Sequence, residues 1–382
     1  MKLSNVISLA LEKPRLVIPH TRGKLSLALS NFTTYALMPK SINLAITNKC
    51  NARCVMCDFG QENKDSVNYK IMRSKIQDDS DIDIDLFKKI ISDVKNFKPF
   101  INLMLVEPLL NKNLMELIKI CKHNGLIVEI TTNGYLLPLL AEKLVKSGVY
   151  GIQVSIDGPP EIHNSLRRVK DSFEKAMEGI RLLDFYKKKY NKKLFIKINY
   201  TISNLNSNAI IETLNCLKKV EGINMVKLQT LSFITEKMKN AHNGVLGDYC
   251  PITTSSVSDS VNPQKVDVDE LYQQIKEVKK RKYPFLIDFI PNIPYTKDEI
   301  KQYFYDELKF LKNHTECGAP YKNVYIDIKG DVRPHTRCYD IVMGNIKEED
   351  FKKIWNGKKY RGFRARIRKK AFIGCARCCG VL

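Results

Sequence analysis

The feature that most constrains this chain is Cys50-Asn51-Ala52-Arg53-Cys54-Val55-Met56-Cys57, which carries three thiols within eight residues. The run Ile42-Asn43-Leu44-Ala45-Ile46-Thr47 leads into it with the length and composition of a buried strand, so the thiols fall on a loop at that strand's C-terminal end. Thiolates this close together suit a soft metal centre. Three of them on a four-iron cluster would leave one iron open, whereas structural zinc asks for four protein ligands, usually as two short pairs. No second pair lies near this loop. On its own the triplet leaves an iron-sulfur site, a zinc site and incidental cysteines all standing.

A chain of 382 residues with 44% hydrophobic content supports a barrel-sized domain plus a smaller one. Its 11 cysteines are odd in number and mostly fall in two tight groups, which favours metal ligation over a disulfide framework and points to a reducing, cytoplasmic setting. No apolar run reaches the roughly 18 residues that span a bilayer, and the apolar start at Val6 to Leu11 is broken by Glu12, Lys13 and Pro14. The net charge of +22 admits acidic peptide, phosphorylated small molecule, nucleic acid or anionic membrane as partner, but the lysines are spread along the chain and a solvated basic surface accounts for them.

Residues 1–40 read as a short helical lead-in that Pro14 and Pro19 keep from growing long, with a basic membrane-surface helix as the alternative. From 41 to 232, apolar strand-like runs near 42–47, 100–106, 126–131, 150–156, 194–201 and 224–230 alternate with helical patterns near 84–96, 112–124, 136–147, 172–188 and 207–219. This alternation predicts an α/β domain with a parallel sheet, a partial (β/α)6 barrel short of the eight units that close one. The polar stretch 60–82 is expected to form a lid. Residues 232–265 read as linker, within a 233–312 segment that regains helical pattern at 268–281 and 297–312. A small α+β unit is expected over 313–382.

Four ordered features resemble the radical S-adenosylmethionine superfamily. They are the CxxxCxxC loop, then Leu105-Val106-Glu107-Pro108, Thr131-Thr132-Asn133-Gly134 and Val154-Ser155-Ile156-Asp157-Gly158-Pro159, each closing a predicted strand. The resemblance implies that Cys50, Cys54 and Cys57 hold a 4Fe-4S cluster whose open iron takes S-adenosylmethionine. It further implies that Glu107 meets the methionine amine, that Ser155 and Asp157 serve the ribose, that Asn133 is a further cofactor-binding residue, and that Met56 packs on adenine where the family often has an aromatic residue. The family usually has Gly-Gly before Glu-Pro, and Leu105-Val106 replace it here, removing residues that tolerate unusual dihedrals.

Further on, Cys317-Gly318-Ala319-Pro320-Tyr321, Tyr325 to Pro334, Cys338, Met343-Gly344-Asn345-Ile346, Ile354-Trp355-Asn356-Gly357 and Cys375-Ala376-Arg377-Cys378 are similar to the family's auxiliary-cluster extension, called SPASM or, in short form, twitch. Lys329-Gly330-Asp331 reads as a hairpin turn that returns Cys338 toward Cys317. Cys317, Cys338, Cys375 and Cys378 make four thiolates, enough for one fully ligated auxiliary 4Fe-4S cluster, with a four-cysteine zinc site as the alternative. Cys379 is spare and His335 is a further ligand candidate. Cys121 and Cys216 read as core residues, and Cys250 as core or as a hydrogen-atom donor. The basic run Lys358 to Lys370 reads as a solvated helix beside a negatively charged cluster.

The resemblance therefore implies an oxidoreductase or modifying enzyme that makes a 5′-deoxyadenosyl radical and takes hydrogen from a peptide or a small polyol or amine, with net oxidation. No protein side chain is assigned as catalytic. The expected partners are that substrate and a low-potential electron donor such as flavodoxin or ferredoxin, with no transmembrane segment and nucleic acid not expected. The reading from a different class is a non-catalytic metal-binding module for nucleic acid.

Overall fold

The computed structural model describes residues 14–73, 80–311, 317–334, 339–369 and 371–378. Its ten strands are β1 (Ser41–Leu44), β2 (Phe100–Leu103), β3 (Ile127–Thr132), β4 (Gly151–Ser155), β5 (Phe195–Ile202), β6 (Ile223–Thr230), β7 (Leu286–Ile290), β8 (Asn323–Ile326), β9 (Asp331–Arg333) and β10 (Gly344–Asn345). They form one sheet in the order β10-β9-β8-β1-β2-β3-β4-β5-β6-β7, parallel from β8 through β7. All six strands read from the sequence are present, with the expected helices between them. The α/β sheet extends beyond six units at both ends.

At one end β7 pairs with β6, Leu228 opposite Phe289. Its short run, Leu-Ile-Asp-Phe-Ile, was not read as a strand because an edge strand buries too little for a clear apolar pattern. At the other end β8 pairs with β1, Ile42 opposite Val324. The C-terminal cysteine segment is thus continuous with the main sheet. Its hairpin is as expected, with β8 and β9 antiparallel around Gly330 at φ +92°.

Period-two alternation explains the layering. On β3 and β5, Val128, Ile130, Ile196, Ile198 and Tyr200 are buried beneath the helices, while Glu129, Thr131, Lys197, Asn199 and Thr201 face the concave side and are half-buried. The helix Ile84–Val94 shows the complementary pattern, burying Leu86, Phe87, Ile90, Ile91 and Val94, with Asp83 capping its first turn through Asp85 and Leu86 N–H. The concave face is consequently polar. Asn102 donates to Asn43 at 2.8 Å, and Lys197 pairs with Glu129 at 2.9 Å.

Three local expectations are corrected. A 16-residue helix, Pro14–Leu29, runs through Pro19, which costs one backbone hydrogen bond but is buried against the body. The lid stretch contains the helix Val67–Arg73, and Ile82 N bonds to Ile46 O at 2.9 Å, so part of it is fastened beside the cysteine loop. The linker stretch contains the helix Glu236–Leu246, and Ile234 pairs with Ser255 as a bridge. Its weak apolar signal arises because only Met238 and His242 of that helix are buried. No helix among the described residues is long and apolar enough to cross a membrane.

Candidate functional site

The cysteine loop leaves β1 at its C-terminal end and is held from three sides. The helix Pro160–Arg167 presents its last carbonyls to it, Arg53 N bonding to Arg167 O at 3.3 Å and Val55 N to Leu166 O at 2.9 Å. Buried Asp58 accepts from Ser255 Oγ at 2.7 Å and from Ser256 N at 2.8 Å, which makes the supposed linker a strap over the loop. Gly60 lies so close to the loop that a Cβ would stand 2.3 Å from Cys54 O, so only glycine fits there.

Cys50, Cys54, Cys57 and Met56 line a cavity of about 220 Å3, and Glu107, Asn133, Ser155 and Thr201, all at strand ends, form its other walls. Most of the residues expected at the site thus converge on one space. Burial pushes Cys50 up to about 12 and Cys57 up to about 11, so these thiols become thiolates only with a cation at hand.

Glu107 is buried and both its carboxylate oxygens are held by the protein. It accepts from Thr132 Oγ1 at 2.7 Å and Leu109 N at 3.1 Å through one oxygen, and from Asn133 N at 2.7 Å through the other. Burial pushes its pKa up to about 7 against the pull of those donors. The replaced glycines leave a trace: Leu105 holds φ +102°, a conformation that glycine takes without strain and leucine does not. The backbone path associated with glycine is kept at a local cost. Beside it, Gly134 at φ +87° allows β4 and a neighbouring helix to close in, since a Cβ would meet Val154 and Ala176 at 2.8 Å.

Asp157, expected at the ribose, is placed differently from Ser155. It is completely buried and does not line the cavity; Thr201 N donates to one oxygen at 2.8 Å and Arg167 donates to the other. What reaches the cavity is Arg167, whose Nη1 stands 3.6 Å from Cys54 Sγ. Burial acts to lower its pKa, but Asp157 and Cys54 more than offset this and the guanidinium stays charged. The sequence signal for Arg167 was absent, because it lies ten residues past Asp157 on a helix with no motif of its own. His163 fixes the same corner, accepting from Asp157 N at 3.0 Å through Nδ1, and burial keeps it neutral.

At the second cysteine group, burial and the neighbouring Cys378 push Cys317 up to about 12, and burial with Cys317 and Cys378 also raises Cys375. These three thiols therefore lie together, and Tyr339 OH is hydrogen-bonded to Cys375. Cys338, His335 and Cys379 lie outside the described residues. Arg377, inside the CxxC pair, is buried and ties it to the helix Lys297–Tyr305 by donating to Gln302 O at 2.6 Å and Asp306 O at 2.6 Å. The basic helix Lys358–Lys369 is not solvated throughout: Arg364 is fully buried between Trp355 at 4.3 Å and Tyr360 at 4.4 Å. Cys121 is core, and Cys216 is half-buried. Cys250 is buried, its sulfur 3.9 Å from His242, and it is not among the residues lining the cavity.

The family model of the Radical SAM superfamily matches residues 44–240, more than half of the chain. The chain belongs to the radical SAM superfamily. A second model, an iron-sulfur cluster-binding domain named SPASM, matches residues 317–379. Membership in the radical SAM superfamily carries a 4Fe-4S cluster and S-adenosylmethionine (AdoMet), and the SPASM domain an auxiliary iron-sulfur cluster.

Among similar proteins, the tungsten-containing aldehyde ferredoxin oxidoreductase cofactor-modifying protein of Pyrococcus furiosus is 21% identical over 89% of this chain and 87% of its own length. The AdoMet-dependent heme synthase of Methanosarcina barkeri is 30% identical over 48% of this chain and 49% of its own. Two solved structures share the fold. Streptococcus suis SuiB bound to S-adenosylmethionine has a TM-score of 0.60 at 15% identity, covering 90% of this chain and 71% of that one. anSMEcpe with bound AdoMet has a TM-score of 0.55 at 17% identity, covering 86% and 82%.

Proposed function

We propose that this radical SAM enzyme takes a hydrogen atom from a polar substrate, a peptide or a small polyol or amine, in a net oxidation. The supporting observation is the cavity itself. Three thiols, a buried carboxylate and a partly buried guanidinium meet at one end of a concave sheet face lined by polar residues, where a barrel enzyme would otherwise pack apolar layers. The names of similar proteins include cofactor modification and heme synthesis, and a structure of SuiB was determined with its precursor peptide SuiA.

In this reading Cys50, Cys54 and Cys57 hold the first cluster, and Cys317, Cys338, Cys375 and Cys378 the auxiliary one. When bound, the first cluster and AdoMet supply a 5′-deoxyadenosyl radical that takes hydrogen from the substrate, and the auxiliary cluster supplies an acceptor for the substrate's second electron. Glu107 faces the methionine ammonium as a carboxylate oriented by three donors. Asn133, held by Asn51 at 2.7 Å, and Ser155 offer polar groups toward the ribose, and Met56 an apolar surface toward adenine. Arg167, charged and anchored by Asp157, balances the thiolates and closes the wall. The half-buried polar face below orients the substrate and limits water around the reacting bond.

The test is anaerobic reconstitution with iron and sulfide, a low-potential reductant such as reduced flavodoxin, and an assay for 5′-deoxyadenosine. Formation of 5′-deoxyadenosine that requires AdoMet and the three loop cysteines supports the reading; an iron-loaded protein that leaves AdoMet intact refutes it.

A further inference from the structure

The N-terminal helix Pro14–Leu29 is amphipathic in the wrong sense for a helix in water. Its buried positions are Pro19, Gly23, Ser26 and Ser30 just past its end, whereas its large apolar side chains Ile18, Leu25 and Leu29 are 53%, 53% and 38% exposed. At 100° per residue, positions 18, 25 and 29 fall on one stripe, and water-facing helices place such a stripe inward. The stripe continues into the following loop with Phe32, 86% exposed, and Tyr35, 54% exposed.

This apolar rim is docked on the most basic part of the chain. Trp355 Nε1 donates to Leu37 O at 3.0 Å, Asn356 Nδ2 to Ala36 O at 3.0 Å and Arg364 Nη1 to Thr34 O at 3.3 Å, while Arg361 stacks on Tyr35 at 4.5 Å. Exposed Lys358 and Lys359 lie between Asn356 and Arg361 on this segment, with Lys24 exposed on the helix; Lys352 and Lys353 are exposed as well but follow exposed Glu348, Glu349 and Asp350. No acidic residue occurs between Pro14 and Cys57, and none after Asp350. The two segments that make the surface are free of acidic residues.

We propose that this surface seats the enzyme on an anionic lipid bilayer. Aliphatic and aromatic side chains on one helix stripe enter the boundary between headgroups and acyl chains, while lysines around them meet lipid phosphates. A nucleic acid would reward stacked rings and cations but leave Ile18, Leu25 and Leu29 in water. The helix lies on the membrane and does not cross it.

The experiment is co-sedimentation of the purified full-length protein with phosphatidylcholine vesicles, with and without phosphatidylglycerol. Binding is expected only with the anionic lipid. Phe32→Ser should weaken it about tenfold or more, and Lys358→Glu with Lys359→Glu at least about 25-fold. Lys280→Glu with Lys282→Glu, the same charge change on the remote helix Val268–Lys280 and just past its end, should leave it nearly unchanged. Because Trp355 is the single tryptophan and is buried, F32W adds a surface reporter whose emission should shift to the blue with anionic vesicles alone. Absence of binding to anionic vesicles overturns the proposal, as does equal weakening by the remote pair. Salt-sensitive binding indifferent to Phe32→Ser, with no F32W shift, would mark a soluble acidic partner and overturn it too.

Discussion

Cys50, Cys54 and Cys57 border a cavity whose remaining walls carry Glu107, Asn133, Ser155 and Arg167, whereas the setting of Cys317, Cys375 and Cys378 is built largely of rings. Tyr339 bonds to Cys375 and packs on Phe363 at 5.7 Å and Phe372 at 5.6 Å, and Arg364 is sandwiched by Trp355 and Tyr360. Each region holds an arginine, partly buried in the first and fully buried in the second. Arg167 answers a carboxylate; Arg364 has rings and backbone or amide oxygens as partners, with Pro320 O at 2.9 Å. The first region is arranged to admit a charged ligand. The second surrounds its thiols with aromatic rings.

The largest expected effect separates the two groups outright. Replacing Cys50, Cys54 and Cys57 by Ala should abolish 5′-deoxyadenosine formation and leave iron at the C-terminal group. Replacing Cys317, Cys375 and Cys378 should spare AdoMet cleavage and stop product formation. Equal loss of cleavage in both variants would erase the distinction.

Next in size is stability. Arg167→Met leaves Asp157 buried and unpaired and should cost about 3–5 kcal/mol. Arg364→Met strands no carboxylate and should cost about 1–3 kcal/mol from lost ring stacking and hydrogen bonds. Anaerobic denaturant unfolding of both variants reads the difference, and a reversed order would mean that the Asp157 corner relaxes to solvent.

Glu107 gives a pH signature. With its pKa near 7, the group is mostly protonated below that pH in the ligand-free protein and must lose its proton to face an ammonium. AdoMet affinity should rise about tenfold per pH unit up to about 7 and level off above. Glu107→Gln should flatten the profile and lie about 10- to 100-fold below wild type at pH 8. The stability sign is also fixed: a carboxyl whose folded pKa is raised disfavours the folded state as pH climbs from the unfolded value through about 7. Titration calorimetry at several pH values checks the binding profile, and an unchanged slope in the Gln variant would remove Glu107 from the ligand.

The smallest effect is expected at Leu105. Truncating a packed leucine ordinarily costs about 2–5 kcal/mol, but relief of the positive φ should hold Leu105→Gly within about 1 kcal/mol of wild type. Unfolding measurements decide it, and a loss above about 2 kcal/mol would show that the backbone there is not strained.

Much of this was legible in the chain. The six strands and their helices follow from local periodicity, and the cysteine loop, Glu107, Asn133 and Ser155 were placed together because each closes a strand and parallel strands end on the same side. Asp157 was recognised as part of the site, but its partners within the protein were not. Its carboxylate bonds to Arg167 and Thr201 N–H, two residues of the cavity wall, and nothing in the local sequence signals those partners. The 232–265 stretch was read as linker because its contacts are polar: Ser255 and Ser256 bond to Asp58, an arrangement with no periodic signature.

By itself the sequence determined the alternation of strand and helix, the spacing of the thiols and the Gly330 hairpin, all of which depend on dihedral preference, burial period or covalent distance over a few residues. Only the tertiary structure decided that β8 would join β1, that Arg167 would reach Cys54, that Leu105 would hold a glycine's dihedral, and that the first helix would turn its large side chains outward. The reason is physical: each of these depends on which distant groups meet, and pairing energies between distant residues leave no pattern in the residues on either side.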